Sequence, residues 1–327
     1  MLKAFVTAEL TKEAISELSK HLSLTFGGWA YDSVKLAPAQ LVEKAKGCEV
    51  LVICYEDINE YVLTNLPDLK YIACTRGGIE NIDVAAVKRH GVLLSNTPGR
   101  NASAVADLAV GLMIATARSI PQTYRYIMDR RWDEAQWDIA GNTPHKRFAG
   151  AELEGKTLGL IGFGAIGRKV AERARGFGMD LLAYDPFVKP VPSGSPVRLV
   201  DLDTLLAGSD FISLHCKVTK QSEGIINKQT LAKMKKSAYL INTARGRLVN
   251  EQDLYEALKT GVIKGAALDT LIEEPISHDH PFLGLKNIVI TPHIGGASQD
   301  IVKHQSRMVV EDVAAYLNGR SPVHVVA

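Results

Sequence analysis

One stretch, KTLGLIGFGAIGRKVAERARGFGMDLLAYDP at residues 156–186, constrains this 327-residue chain more than any other. An apolar run that reads as a strand leads into Gly162, Gly164 and Gly167 in G-x-G-x-x-G spacing, and an amphipathic helix follows. A second apolar run then ends at Asp185, about twenty residues beyond the glycines, where a dinucleotide-binding βαβ unit places an acid. The first glycine permits a tight turn, the second lets a pyrophosphate reach the backbone, and the third lets helix and strand pack closely. The helix N-terminus adds amide hydrogens and a partial positive charge. A bare glycine pattern would say little, but strand, helix, second strand and terminal acid together predict nucleotide binding. Asp185 can bond both ribose hydroxyls and would repel a 2′-phosphate. Pro186 and Phe187 follow it, with no adjacent Arg or Lys to offset the charge. NAD is expected rather than NADP.

The same alternation of strand and helix runs along most of the chain. KAFVTA, CEVLVIC, KYIACT and GVLLSN are β-rich runs separated by helical stretches such as TKEAISELSKHL and PAQLVEKAKG. This predicts a parallel α/β sheet. NASAVADLAVGLMIATARSI predicts one long helix from Asn101 to Pro121, followed by an arm with Tyr124, Tyr126, Trp132 and Trp137. A second alternating series opens at GKTLGLIGFG, so two α/β units are expected.

Bulk properties exclude several partners. With 38 basic against 36 acidic residues there is no positive excess to suggest nucleic acid or an anionic membrane. The longest apolar stretch, VADLAVGLMIATA (105–117), is too short to span a bilayer and carries Asp107. MLKAFVTAEL reads as a strand opening a domain rather than a signal peptide. The four cysteines form no C-x-x-C pair, and Cys48, Cys54 and Cys74 lie in apolar runs. Buried, reduced thiols in a cytoplasmic protein are expected, Cys216 among them. SHDHP (277–281) has no second ligand cluster, so no metal is expected.

Three later strands end in reactive side chains. SAYLINTA (237–244) runs into Arg245 and Gly246. KGAALD (264–269) ends at Asp269, with Glu274 and Pro275 shortly after, and NIVIT (287–291) leads into Pro292 and His293. Ligands of open parallel sheets bind beyond the carboxyl ends of the strands. Singly, these residues read as a turn charge, a loop carboxylate and a capping group. Side by side next to a dinucleotide site, they point to catalysis.

GFGAIGR, NTARGRLV, ALD followed by EEP, and TPHIGG resemble, in order and spacing across residues 155–298, the successive signatures of the D-isomer-specific 2-hydroxyacid dehydrogenases. RGGIENID and NTPGRNASAVAD resemble that family's substrate loop and interdomain crossing. The resemblance implies an α/β protein of two Rossmann-like or flavodoxin-like parallel-sheet domains. A substrate domain, 1–99 plus 299–327, would be split around a continuous NAD-binding domain, 100–298. Motif by motif it implies Arg245, Glu274 and His293 as catalytic. It implies cofactor contacts at Gly162, Gly164, Ala165, Ile166, Gly167, Asp185, Thr243, Ala244, Arg245, Asp269, His293, Gly295 and Gly296. Arg76, Gly77 and Gly78 would join Arg245 and His293 on the substrate, a small 2-oxo or 2-hydroxy acid. The chemistry agrees: Arg245 suits a forked grip on a carboxylate, His293 the donation of a proton, and Glu274 the stabilisation of imidazolium.

The pattern has departures. Lys217 stands two residues after His215, where the family often has proline, and Asp107 stands where Glu is usual. CYEDIN (54–59) is acidic where phosphoglycerate-type members carry arginines, leaving Arg76 and Arg100 to compensate. Little chain follows EDVAAYLNGR, so no appended regulatory domain is expected. The resemblance also implies a homodimer through residues 101–150. Two other identities stay open on sequence: an NAD-sensing, corepressor-like binding protein built on this fold, and specifically a D-3-phosphoglycerate dehydrogenase.

Overall fold

The computed structural model describes residues 1–132, 143–188 and 195–327. They divide into two compact units, Met1–Asn101 with Ser298–Ala327, and Ala102–Ala297.

The first unit is a five-stranded parallel sheet in the order β2-β1-β3-β4-β5. Its strands are β1 (Leu2–Val6), β2 (Leu22–Phe26), β3 (Val50–Ile53), β4 (Tyr71–Cys74) and β5 (Leu93–Ser95). The inner runs VLVI and YIAC are buried at every position, as strands covered on both faces must be. Leu51, Ile53 and Ile72 pack on one face with Leu41, Val62 and Val87. Val50, Val52 and Ala73 pack on the other with Leu18 and with Val309 and Val313 of the helix Ile301–Leu317. The chain's end pairs with the outer edge of the sheet: Val326 N–H donates to Leu94 O at 2.8 Å, and Leu94 N–H to Ala327 O at 2.7 Å.

The second unit holds seven parallel strands in the order β12-β11-β10-β9-β6-β7-β8. They are β6 (Thr157–Ile161), β7 (Asp180–Tyr184), β8 (Val197–Leu199), β9 (Phe211–Leu214), β10 (Tyr239–Asn242), β11 (Gly265–Leu268) and β12 (Ile288–Ile290). The order reverses between β6 and β9, so the loops leaving these two strands diverge and open a crevice. Both units have the parallel α/β architecture that the alternation predicts.

The long helix differs from expectation. Ala102–Ala117 ends short of Pro121, and a second helix, Ile120–Met128, sets off at 63° to it. Ser119 takes a left-handed conformation, φ 51°, and Ala151 N–H caps the Ala117 carbonyl at 3.1 Å. Pro121 falls in the first turn of the new helix, where its missing N–H costs nothing. Ala106, Ala109 and Met113 are fully buried, which explains the apolarity of the first segment. Among the described residues no single helix is long and apolar enough to cross a membrane. Of the aromatic arm, Tyr126 is buried against Phe148, Tyr124 and Trp132 are exposed, and Trp137 lies outside the described residues. Cys48, Cys54 and Cys74 are free and buried, but Cys216 is only half-buried. It follows β9 at the open edge of the sheet rather than lying within a strand.

Candidate active site

The glycine loop leaves β6 at the crevice. Gly162 sits at φ 97°, and a Cβ there would meet Cys216 N at 2.5 Å. A Cβ on Gly167 would overlap the Gly162 carbonyl. Packing within the chain therefore dictates the first and third glycines. Gly164 differs: nothing lies within 4 Å of where its Cβ would be. It is also the N-cap of the helix Ala165–Gly176 and supplies no side-chain cap. The helix start thus has no side-chain cap and Gly164 leaves room beside it, which fits a pyrophosphate at the first-turn amides. Ala165 and Ile166 form the first helical positions behind it.

Asp185 follows β7 beside this loop. Its Oδ2 accepts from Phe163 N–H at 2.8 Å and its Oδ1 from Phe187 N–H at 2.9 Å. Two bonds hold the carboxylate in place and leave lone pairs for ribose hydroxyls. Beyond β9, β10 and β11, three buried polar atoms have no partner among the described residues: His215 Nδ1, Thr243 Oγ1 and Thr270 Oγ1. The other His215 nitrogen, Nε2, lies 2.9 Å from Ser213 Oγ. Burial pulls the His215 pKa down to about 3, so the ring is neutral at ordinary pH.

Arg245 follows β10 on extended backbone and is exposed, its Nη1 donating to Ala244 O at 2.7 Å. Next to it, a Cβ on Gly246 would overlap the backbone of Leu271, so only glycine lets the turn after β10 touch the loop after β11. In that loop Glu274 accepts Leu271 N–H through Oε1 at 2.9 Å and meets His293 Nδ1 through Oε2 at 2.7 Å. Partial burial of Glu274 tends to raise its pKa. The bonds from His293 and the Leu271 amide, with the charges of His293 and Arg245, outweigh this and hold it below the usual value.

His293 adopts a left-handed backbone, φ 54°, which costs a side-chain-bearing residue about 1 kcal/mol. Asp269 holds the turn there. Its buried carboxylate accepts from Thr291 Oγ1 (2.6 Å), Ile294 N–H (2.9 Å) and Gly295 N–H (2.7 Å). A Cβ on Gly295 would come within 2.8 Å of Asp269 Oδ2, so glycine is required, and Gly296 completes the turn. Asp269, expected as a cofactor contact, has both oxygens engaged in setting the histidine's angle. No motif pattern announces that role, because its partners lie 22 to 26 residues further along.

The first unit places the remaining expected residues. Arg76 follows β4 with its guanidinium over the Tyr55 ring at 5.2 Å and 3.7 Å from Glu80. Gly77 comes next, its carbonyl accepting from Asn96 Nδ2 at 2.8 Å, and then Gly78. Arg100 donates to Gln305 Oε1. Glu56 of CYEDIN is fully buried and accepts from Thr7 Oγ1 (2.5 Å) and from the amides of Cys54 (3.4 Å), Tyr55 (3.3 Å) and Trp29 (3.4 Å).

The family model for the D-isomer specific 2-hydroxyacid dehydrogenase, NAD binding domain, matches residues 110–295. The chain belongs to the D-isomer-specific 2-hydroxyacid dehydrogenase family, and its seven-stranded unit carries the NAD-binding domain. It is similar to the D-3-phosphoglycerate dehydrogenase of Methanocaldococcus jannaschii, with 38% identity over 329 residues, all of this chain but 59% of that protein. It is likewise similar to the glyoxylate reductase of Korarchaeum cryptofilum, with 35% identity over 326 residues, 99% of this chain and 95% of that one. Among solved structures, an NAD-complexed D-isomer specific 2-hydroxyacid dehydrogenase from Lactobacillus delbrueckii ssp. bulgaricus superposes with a TM-score of 0.83, at 27% identity over the full length of both chains.

Proposed function

We propose that the chain is an NAD-dependent oxidoreductase interconverting a small D-2-hydroxy acid and its 2-oxo acid. The observation that carries this is the His293–Glu274 pair, 2.7 Å apart, with His293 on a left-handed turn after β12, Glu274 in the loop after the adjacent β11, and Arg245 after β10, next along the NAD-binding sheet. The first-turn amides after Gly164 would hold the pyrophosphate, Asp185 the ribose, and residues 243–245 with Gly295 and Gly296 the nicotinamide end. The orphaned Thr243 hydroxyl fits such a contact. When bound, NADH supplies the hydride for the carbonyl carbon. Arg245 grips the substrate carboxylate in a forked geometry and polarises the adjacent carbonyl. His293, with Nδ1 turned to Glu274, offers Nε2 to donate the proton to the carbonyl oxygen. We assign the first unit, which carries Arg76, Gly77 and Gly78 after β4, as the substrate domain.

The relatives' names span glyoxylate and 3-phosphoglycerate chemistry. Two observations favour an unphosphorylated substrate. Glu56 occupies the amides of Cys54, Tyr55 and Trp29 that an anion would need, and Arg100 is engaged by Gln305.

The test is a screen with NADH and NADPH against glyoxylate, hydroxypyruvate, pyruvate and 3-phosphohydroxypyruvate. The expected result is turnover of a small unphosphorylated acid with kcat/KM far higher for NADH. No turnover of any would overturn the function, and parity between cofactors would overturn the role of Asp185. We also assign a homodimer to the 101–150 region, because Ile120, Tyr124 and Ile127 are exposed at i, i+4 and i+7 of one helix. Light scattering at micromolar concentration should give twice the chain mass, and a monomer would remove this assignment.

A further inference from the structure

Glu251 opens the helix Glu251–Thr260, six residues after Arg245, and its side chain is only 16% exposed. It is not needed as a cap, because Asn250 already accepts Asp253 N–H at 3.1 Å. Its two oxygens reach two ends of one loop instead. Oε1 accepts Ile272 N–H at 2.8 Å, and Oε2 lies 3.5 Å from His280 Nε2. His280 Nδ1 accepts Phe282 N–H at 3.3 Å, which places the ring proton on Nε2, aimed at Glu251. A single carboxylate thus ties down both flanks of residues 272–280, and Glu274 lies between them. The second fastening is the contact of Gly246 with Leu271, whose N–H is itself a donor to Glu274. The second histidine of SHDHP, His280, acts here as a loop anchor.

We propose that Glu251 is a positioning residue that locks the Glu274 loop onto the turn carrying Arg245 and so keeps Glu274 in contact with His293. The proposal rests on the dehydrogenase reading above. Among the described residues, the charged groups acting on Glu274 are His293 and Arg245, while Glu251 and Asp279 face His280. If Glu251 is lost, Glu274 is free to drift from His293, and a misplacement of about 1 Å can cost on the order of a hundredfold in rate.

The experiment compares Glu251→Ala, Glu251→Gln and His280→Gln with Glu274→Gln. It reads kcat for 2-oxo acid reduction against pH, the NADH Kd by fluorescence, and Tm. Protonated imidazole is the reactive form in reduction, so weakening Glu274's hold should move the alkaline limb of the profile to lower pH. Glu251→Ala should lower kcat by about ten- to a hundredfold, leave the NADH Kd within about twofold, and move that limb in the same direction as Glu274→Gln. Added to Glu274→Gln, it should move the limb no further. A loss of Tm with the wild-type limb would make Glu251 merely structural and overturn the proposal. Glu251→Gln and His280→Gln carry the same readout should the alanine variant not fold. If Glu274→Gln itself left the limb in place, the fault would lie with the dehydrogenase reading instead.

Discussion

Beyond β1 and β3 of the first unit, the fully buried Glu56 gathers the Thr7 hydroxyl and the amides of Cys54, Tyr55 and Trp29. Beyond β6, β9, β10 and β11 of the second, the Gly164 helix start has no side-chain cap, and His215 Nδ1, Thr243 Oγ1 and Thr270 Oγ1 have no partner among the described residues. The architecture is the same, yet one edge is closed by the chain's own carboxylate and the other is left open. A buried polar atom without a partner costs about 1–3 kcal/mol. Such a cost gathered along one edge marks where an outside ligand completes the bonding. Among the described residues, the first unit has a single buried side-chain atom of this kind, Thr97 Oγ1, close to the Gly77 loop assigned to substrate.

The contrast can be broken at three strengths. The largest effect belongs to His293→Ala, which should lower kcat by at least about a hundredfold with little change in NADH affinity, because a general acid acts only at the chemical step. Near-wild-type turnover would reduce the histidine to a turn residue. Glu56→Ala comes next. It leaves four donors without their acceptor and should lower unfolding free energy by about 2–4 kcal/mol in urea titrations, with NADH affinity intact. An equal loss of NADH affinity would erase the distinction between the edges. The smallest effect, per pH unit, is that of His215. Its pKa is about 3 in the folded chain and ordinarily 6.5, so between those values the unfolded chain binds a proton the folded chain refuses. Stability should therefore fall as pH drops through this window, by at most about 1.4 kcal/mol per unit, and His215→Gln should flatten that slope. An unchanged slope would mean the ring is not held neutral.

Local patterns made much of this legible. The glycine loop, Arg245, Glu274 and His293 each sit within a few residues of a strand end, so a motif and its element can be read together. Edge strands were harder. In LSLTF of β2 only Leu22 is buried, and β8 is three residues long, too little for any periodicity to register. The break at Ser119 was hidden because apolar residues continue across it, and what ends the helix is a cap from Ala151, 34 residues away from the Ala117 carbonyl it bonds. Glu56 reads as one more surface acid until Thr7, 49 residues earlier, is brought beside it. Asp269 was legible as important, but its hold on the Thr291–Gly295 turn was not, since only the folded turn shows three donors converging on it.

The split of the first unit has a consequence for the order in which the molecule is built. Its sheet face of Val6, Val50 and Val52 is completed by Val309 and Val313, which leave the ribosome only after the whole span Ala102–Ala297. At about 5–20 residues per second that is a wait of roughly ten to forty seconds. The second unit is contiguous and has its core residues in hand when its last strand emerges. The first must keep an apolar face waiting throughout, so the chain's most exposed moment to chaperones and to misassembly falls during its own synthesis.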